Sequence, residues 1–114
     1  MTNLLKKTFI ILTISFMYVK NAQTNDKVTL LLDWFINPDH GPIIIANEKG
    51  IFKDAGLEIE IIPPANPADP PKLVAAGKAD IAISYQPQLH MQVHEGLPVT
   101  RVGTLVATPL NCLL

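Results

Sequence analysis

The chain has 114 residues, of which 48% are apolar and 17% charged, and its formal net charge is −1. This length holds at most one small domain, and the apolar fraction favours a globular protein over a disordered one. The absence of a basic excess excludes the charged surface that nucleic-acid binding requires.

Residues 1–22 have the three-part pattern of a secretory signal. Two lysines precede an apolar run of twelve residues at 8–19, and a short polar segment with Ala22 follows it. As a helix this run would extend about 18 Å, well short of the hydrocarbon core of a bilayer at about 30 Å. The pattern predicts a signal peptide. An uncleaved anchor and a buried N-terminal helix are the alternatives, because Lys20 stands where the cleavage site should have a small residue.

Charge and cysteine content describe the part that would remain after export. Removal of residues 1–22 takes three of the nine basic residues and none of the ten acidic ones, so the remainder is mildly acidic. Cys112 is the single cysteine, which leaves no intramolecular disulfide, and it lies too far from the apolar run for a lipid anchor. We expect a periplasmic or secreted protein that is not a lipoprotein.

Apolar periodicity predicts alternating strands and helices after the signal. In chain order the predicted elements are a strand at 27–33, a helix at 42–49, a strand at 57–62, a helix at 70–76, a strand at 81–84, a helix at 86–95 and a strand at 99–106. This βαβαβαβ order predicts an α/β fold with a parallel sheet and helices on its faces.

Glycine and proline mark the boundaries of these elements. Five of the nine residues at 63–71 are proline, which predicts a stiff surface loop. Asp69 should be the N-cap of the helix that follows this loop. Gly50 and Gly77 should end the first two helices.

Parallel α/β sheets bind ligands where loops gather at the carboxyl ends of the strands. In this chain those ends are predicted at 33–40, 63–69, 84–88 and after Val106. The first of them carries the single Trp together with two carboxylates, an amide and an imidazole, within the sequence DWFINPDH.

This first loop has the residue types of a small-molecule pocket. Trp34 could stack on a flat heterocycle while Asn37 or Asp33 hydrogen-bonds the ring edge. His40 is a further candidate in the same loop. The alternative is structural: Trp34 covers the edge of the sheet and Asn37 caps a turn.

The predicted ligand loop at 84–88 adds a second aromatic residue. Tyr85 and Gln86 follow a strand and precede a helix, so their side chains should face the same cleft as the first loop. A core tyrosine with its hydroxyl at the surface is the alternative.

Neither a metal site nor a catalytic site is predicted. His90 and His94 have the spacing of two zinc ligands on one helix face, but a third ligand and the glutamate of a metalloprotease motif are missing. No phosphate-binding glycine loop and no nucleophile elbow occurs. We therefore expect no cofactor, no metal and no enzymatic activity.

Nearly all of the chain after the signal resembles the first lobe of SsuA/ThiY-type solute-binding proteins, in particular those that bind pyrimidine precursors of thiamine, formylaminopyrimidine and hydroxymethylpyrimidine. The resemblance lies in LLLDWFINPDH at 30–40, EKGIFKDAGLEIE at 48–60, PADPPKLVAAGKADIAISYQPQ at 67–88 and EGLPVTRVGTLVATPLN at 95–111. It implies a type II periplasmic binding protein fold, in which two lobes close on a ligand and then dock on an ABC permease in the inner membrane.

The resemblance also implies ligand contacts and a boundary. The expected contacts with an aminopyrimidine are Trp34, Asn37, Tyr85 and Gln86, supported by Asp33 and His40. Residues 27–114 would be a partial N-terminal lobe, truncated before the second lobe and its ligand groups.

Two other functions stay open. The same family includes an enzyme that builds the thiamine pyrimidine from pyridoxal phosphate and one of its own histidines. Its essential Lys and His would fall on Ser84 and Gln88, and neither of these side chains can replace them. The third possibility is a truncated module without a ligand, retained for contacts with other proteins.

Overall fold

The structure, a computed structural model, describes residues 25–108, so the predicted signal at 1–22 and Cys112 lie outside the described residues. Strands and helices alternate along the described chain, as the sequence predicts. They are β1 (Asp26–Leu31), a 3₁₀ turn (Pro38–His40), α1 (Gly41–Glu48), α2 (Ile51–Asp54), β2 (Leu57–Ile62), α3 (Pro70–Ala75), β3 (Ile81–Ala82) and α4 (Gln86–His94).

The three strands form one parallel sheet in the order β2–β1–β3. β1 pairs with β2 over its full length, from Asp26 opposite Leu57 to Leu31 opposite Ile62. On its other side β1 pairs with the two residues of β3. The predicted α/β class and parallel sheet are confirmed, and β1 is the central strand that both neighbours need.

The core is thin and lies at the end of β1. Leu31 and Leu32 are almost completely buried there, and Ala79 is buried just before β3. Pro70 and Pro71 are buried at the start of α3, so the prolines that end the loop also contribute to packing. The same strand end that forms the core therefore leads directly into Asp33 and the predicted ligand loop.

The helices follow the predicted segments, with two corrections. Residues 51–54, between the predicted helix at 42–49 and the predicted strand at 57–62, form the short helix α2, for which no helix was predicted. Asp69 precedes α3 but its side chain makes no capping hydrogen bond, because its backbone is already helical instead of extended. Among residues 25–108, no helix is long and apolar enough to cross a membrane.

The predicted strand at 99–106 is wrong. Within the described chain these residues form no strand, residues 101–108 are exposed, and Val102 keeps 81% of its accessible surface. The β-branched residues of the segment 99–106 favour an extended conformation. A strand, however, also needs a neighbouring strand that completes its backbone hydrogen bonds. The described order is therefore βαβαβα with three strands, not βαβαβαβ with four.

The short strand β3 is held in place by a side chain. The Asp80 backbone N–H donates to the Thr29 carbonyl at 3.1 Å, and the Asp80 Oδ2 accepts from the Thr29 N–H at 2.8 Å. The carboxylate thus replaces a backbone acceptor and extends the pairing of β1 with β3 toward the start of β3. Since β3 leads into Tyr85, this contact also positions the second predicted ligand loop.

We predict that Asp80→Ala lowers the free energy of unfolding by about 1 kcal/mol, because it removes one hydrogen bond of the β1–β3 pairing. Urea unfolding measures this change, and faster hydrogen exchange of the Thr29 amide should accompany it. Asp80→Asn keeps an acceptor oxygen and is the matched control, with a stability within a few tenths of a kcal/mol of the unsubstituted chain. Equal losses in the two variants would contradict this role.

Candidate functional site

The candidate site lies where β1 and β3 end at the same edge of the sheet. Because β1 and β3 are parallel neighbours, the loop after β1 and the segment after β3 are brought together. The first contributes Asp33 to His40 and the second contributes Ser84 and Tyr85. The two predicted ligand loops are therefore adjacent in space, although about fifty residues separate them in sequence.

Asn37 folds the first loop into a tight turn. Its Oδ1 accepts from the Asp39 N–H at 2.9 Å, and its Nδ2 donates to the Phe35 carbonyl at 3.1 Å. Its own backbone N–H donates to Nδ1 of His40 at 3.3 Å, which completes a capping box. The structure thus shows the turn-capping role of Asn37, and a contact of Asn37 with a ligand stays a prediction.

His40 is a buried residue of this turn, with 1% of its surface exposed. Its Nε2 lies 2.7 Å from Oδ1 of Asp33, a short charge-assisted contact. Because Nδ1 accepts from the Asn37 N–H, the imidazole proton belongs on Nε2, and His40 donates it to Asp33. The pair ties the end of β1 to the end of the loop.

Asp33 is ionised within this arrangement. Burial by itself raises the pKa of this carboxyl. The hydrogen bond from His40 and the nearby Tyr85 hydroxyl, with help from the backbone, lower the pKa by a larger amount, so that it lies below the ordinary 3.8. The Tyr85 hydroxyl is drawn to the same carboxylate. That interaction first, and burial second, raise the pKa of Tyr85 above its ordinary 10.0.

Two aromatic side chains belong to the same region: Trp34 follows Asp33 in the chain, and Tyr85 lies near its carboxylate in space. Trp34 and Tyr85 each keep 48% of their surface exposed, so both rings are accessible and neither is a core residue. Phe35 packs edge-on against Trp34, with ring centroids 5.6 Å apart and planes at 85°.

Gln86 is exposed at the start of α4. The contact that the structure records for its side chain is with His90, one helical turn later, at 3.2 Å between the two Nε2 atoms. Gln86 therefore lies next to Tyr85 but points along its own helix. In residues 25–108, no cluster of three or more His, Cys, Asp or Glu residues is arranged to hold a metal ion.

Ser84 is not among the ligand contacts predicted from the sequence. Its Oγ is buried and has no hydrogen-bond partner among the described residues. It directly precedes Tyr85 at the end of β3, so the position after a strand was the signal in the sequence. A buried hydroxyl beside the pocket adds a donor that a ligand or a water molecule could use.

The sequence of the chain is similar to a known family and to several known proteins. The sequence matches the family described as NMT1/THI5 like over residues 37–114. It is 57% identical over 89 residues to a Haemophilus influenzae protein named for thiamine biosynthesis, and these cover 78% of this chain and 28% of that protein. It is 36% identical over 108 residues to the formylaminopyrimidine-binding protein of Halalkalibacterium halodurans, covering 88% of this chain and 33% of that one.

A synthase is also similar. The 4-amino-5-hydroxymethyl-2-methylpyrimidine phosphate synthase of Candida albicans is 40% identical over 88 residues, which are 77% of this chain and 26% of the synthase. The chain thus spans about a third or less of the length of each of these relatives.

A parallel α/β sheet with its loops gathered at one edge is the first-lobe architecture of a periplasmic binding protein. More specifically, the chain belongs to the NMT1/THI5-like family.

We predict that Tyr85→Phe raises the pKa of Asp33, because it removes one of the donors that stabilise the carboxylate. Titration of the Asp33 carboxyl by NMR measures the change. Asp54→Asn, at the exposed end of α2, is the control and should leave the Asp33 titration unchanged. An Asp33 midpoint that does not move in Tyr85→Phe would contradict the contact.

The same lowered pKa has a consequence for stability. The folded form of Asp33 binds a proton less readily than the unfolded form, so its ionisation stabilises the fold above pH 3.8. That contribution should be lost as the pH falls through the lowered pKa of the folded state. Asp33→Asn should remove this part of the pH dependence in urea unfolding at pH 2 to 5, and an unchanged profile would count against it.

Proposed function

We propose that this chain supplies one wall of a binding site for a pyrimidine precursor of thiamine in a solute-binding protein. The observation that carries the proposal is that the ionised carboxylate of Asp33 lies near the Tyr85 hydroxyl and directly precedes Trp34 in the chain, and that both aromatic side chains are accessible. The similarity to a formylaminopyrimidine-binding protein supports the same ligand class.

The chemistry of the site suits a small flat heterocycle. Aromatic side chains offer a face for stacking, and a few placed polar groups at the ring edge provide orientation. An aminopyrimidine has both a planar ring and exocyclic N–H donors. A carboxylate is an acceptor for such donors, and because Asp33 is buried, the interaction is stronger than it would be in water.

Transport, rather than catalysis, is the role we propose for the complete protein. The signal pattern at residues 1–22 supports export to the periplasm, and delivery of the ligand to an ABC permease would follow closure of two lobes. The relatives are about three or more times as long as this chain, which leaves the second wall and the hinge to other parts of such a protein.

The synthase is the competing function, because several synthases are similar to this chain. Its chemistry needs a lysine that forms a Schiff base and a histidine that is consumed. The resemblance implies that these two residues would fall on Ser84 and Gln88 of this chain. A hydroxyl and an amide supply neither chemistry, so ligand binding is the function we propose.

Binding of 4-amino-5-hydroxymethyl-2-methylpyrimidine should quench the fluorescence of Trp34, which is the single tryptophan of the chain. We expect weak affinity, in the range of about 0.1 to 1 mM, because one wall alone excludes little water. Trp34→Ala should weaken binding about tenfold, as followed by ligand NMR, since it removes the stacking face.

Val102→Ala is the matched control for that experiment. Val102 is an exposed apolar residue outside the site, so its removal should leave the affinity unchanged. No quenching in the unsubstituted chain, or equal binding by Trp34→Ala, would overturn the proposed pocket.

A binding protein and the synthase also differ in whether a histidine of the protein is consumed. After incubation with pyridoxal phosphate the intact mass of this chain should stay the same, since no histidine stands at the position of Gln88. Mass spectrometry measures this directly. Loss of mass localised to His90 or His94 would favour the synthase instead.

A further inference from the structure

We propose that His40 is a positioning residue that makes Asp33 an obligate hydrogen-bond acceptor, and that it thereby selects ligands carrying an exocyclic amino group. This inference rests on the proposed function, since it concerns the same pocket. It assigns a specificity role to a side chain that is itself buried and out of reach of the ligand.

The first step is the position of the imidazole proton. Nδ1 of His40 faces the Asn37 backbone N–H at 3.3 Å and can only accept there. The proton therefore lies on Nε2, which faces Oδ1 of Asp33 at 2.7 Å. Two further hydrogen bonds of the Asn37 side chain stabilise this turn. The turn therefore holds the Asn37 N–H opposite Nδ1 and disfavours a flip of the His40 imidazole.

The second step concerns Asp33. The hydrogen bond donated to Oδ1 stabilises the ionised form of the carboxylate. An ionised carboxylate offers about four acceptor positions and no donor. The Nε2–H of His40 occupies one of these positions, and the Tyr85 hydroxyl lies near the same carboxylate. The Asp33 side chain keeps 12% of its surface exposed, so a ligand can reach the remaining positions.

The remaining acceptor positions can be used only by a ligand that brings N–H or O–H groups. A ring that presents a bare acceptor or a C–H at the same place leaves the buried carboxylate without compensation. The pocket should therefore reject such a ring more strongly than a purely apolar pocket would. If His40 could not hold Asp33 in this state, the carboxyl could rotate or protonate, and the discrimination would fall.

Two probes test this selection on the chain as it stands: 4-amino-2-methylpyrimidine, and 2-methylpyrimidine without the amino group. The unsubstituted chain should bind the first about tenfold more tightly, as followed by NMR titration. In His40→Leu the ratio should fall to about twofold or less. His40→Gln keeps an N–H donor and a carbonyl acceptor on a side chain of similar reach, so it should retain part of the preference.

The ratio separates positioning from a structural role. If the role of His40 is only structural, His40→Leu should lower the affinity for both probes equally and leave their ratio unchanged, and that result overturns the inference. Binding of neither probe to the unsubstituted chain would instead overturn the proposed function, so the two failures are distinguishable.

A measurement on the unsubstituted chain needs no ligand and no variant. Long-range ¹H–¹⁵N correlation spectra report which imidazole nitrogen carries the proton. A protonated Nε2 and a bare Nδ1 in His40 support the inference. A proton on Nδ1 would overturn it, because His40 could not then donate to Asp33 while accepting from Asn37.

Discussion

The short contact between His40 and Asp33 is the constraint on which the candidate site depends. It joins the end of the central strand β1 to the end of the following turn, with 2.7 Å between Nε2 and Oδ1. It also offsets the free-energy cost of burying the Asp33 carboxylate, which directly follows Leu32, the most buried residue of the core. A carboxylate there is tolerated because donors stabilise its charge, and the same donors hold the loop closed.

The parallel sheet brings the second half of the site to this pair. β3 is only two residues long, yet its pairing with β1, extended by the Asp80 carboxylate, places Tyr85 beside Asp33. The aromatic rings can remain half-exposed because the buried hydrogen bonds, not the rings, hold the loops. The hydrogen bonds that stabilise the loops thus involve atoms other than those of the accessible aromatic rings.

Membership of the NMT1/THI5-like family leaves two functions to consider, the binding of a pyrimidine precursor and its synthesis. The chain is 36% identical to a formylaminopyrimidine-binding protein and 40% identical to a synthase, and these identities do not separate the two functions. The proposal of a binder therefore rests on the chemistry of two side chains after β3. Ser84 and Gln88 can hydrogen-bond a ligand but cannot form a Schiff base or be consumed as an imidazole.

The sequence by itself determined the α/β class, the positions of β1, β2 and the main helices, and the two loops that carry Trp34 and Tyr85. These features depend on local periodicity and on proline and glycine, which act within a few residues. Only the tertiary structure decided that His40 is buried against Asp33 and that residues 99–106 are not a strand. Both depend on which groups meet in space: a loop imidazole is indistinguishable from a surface ligand in sequence, and a β-rich segment becomes a strand only beside a partner.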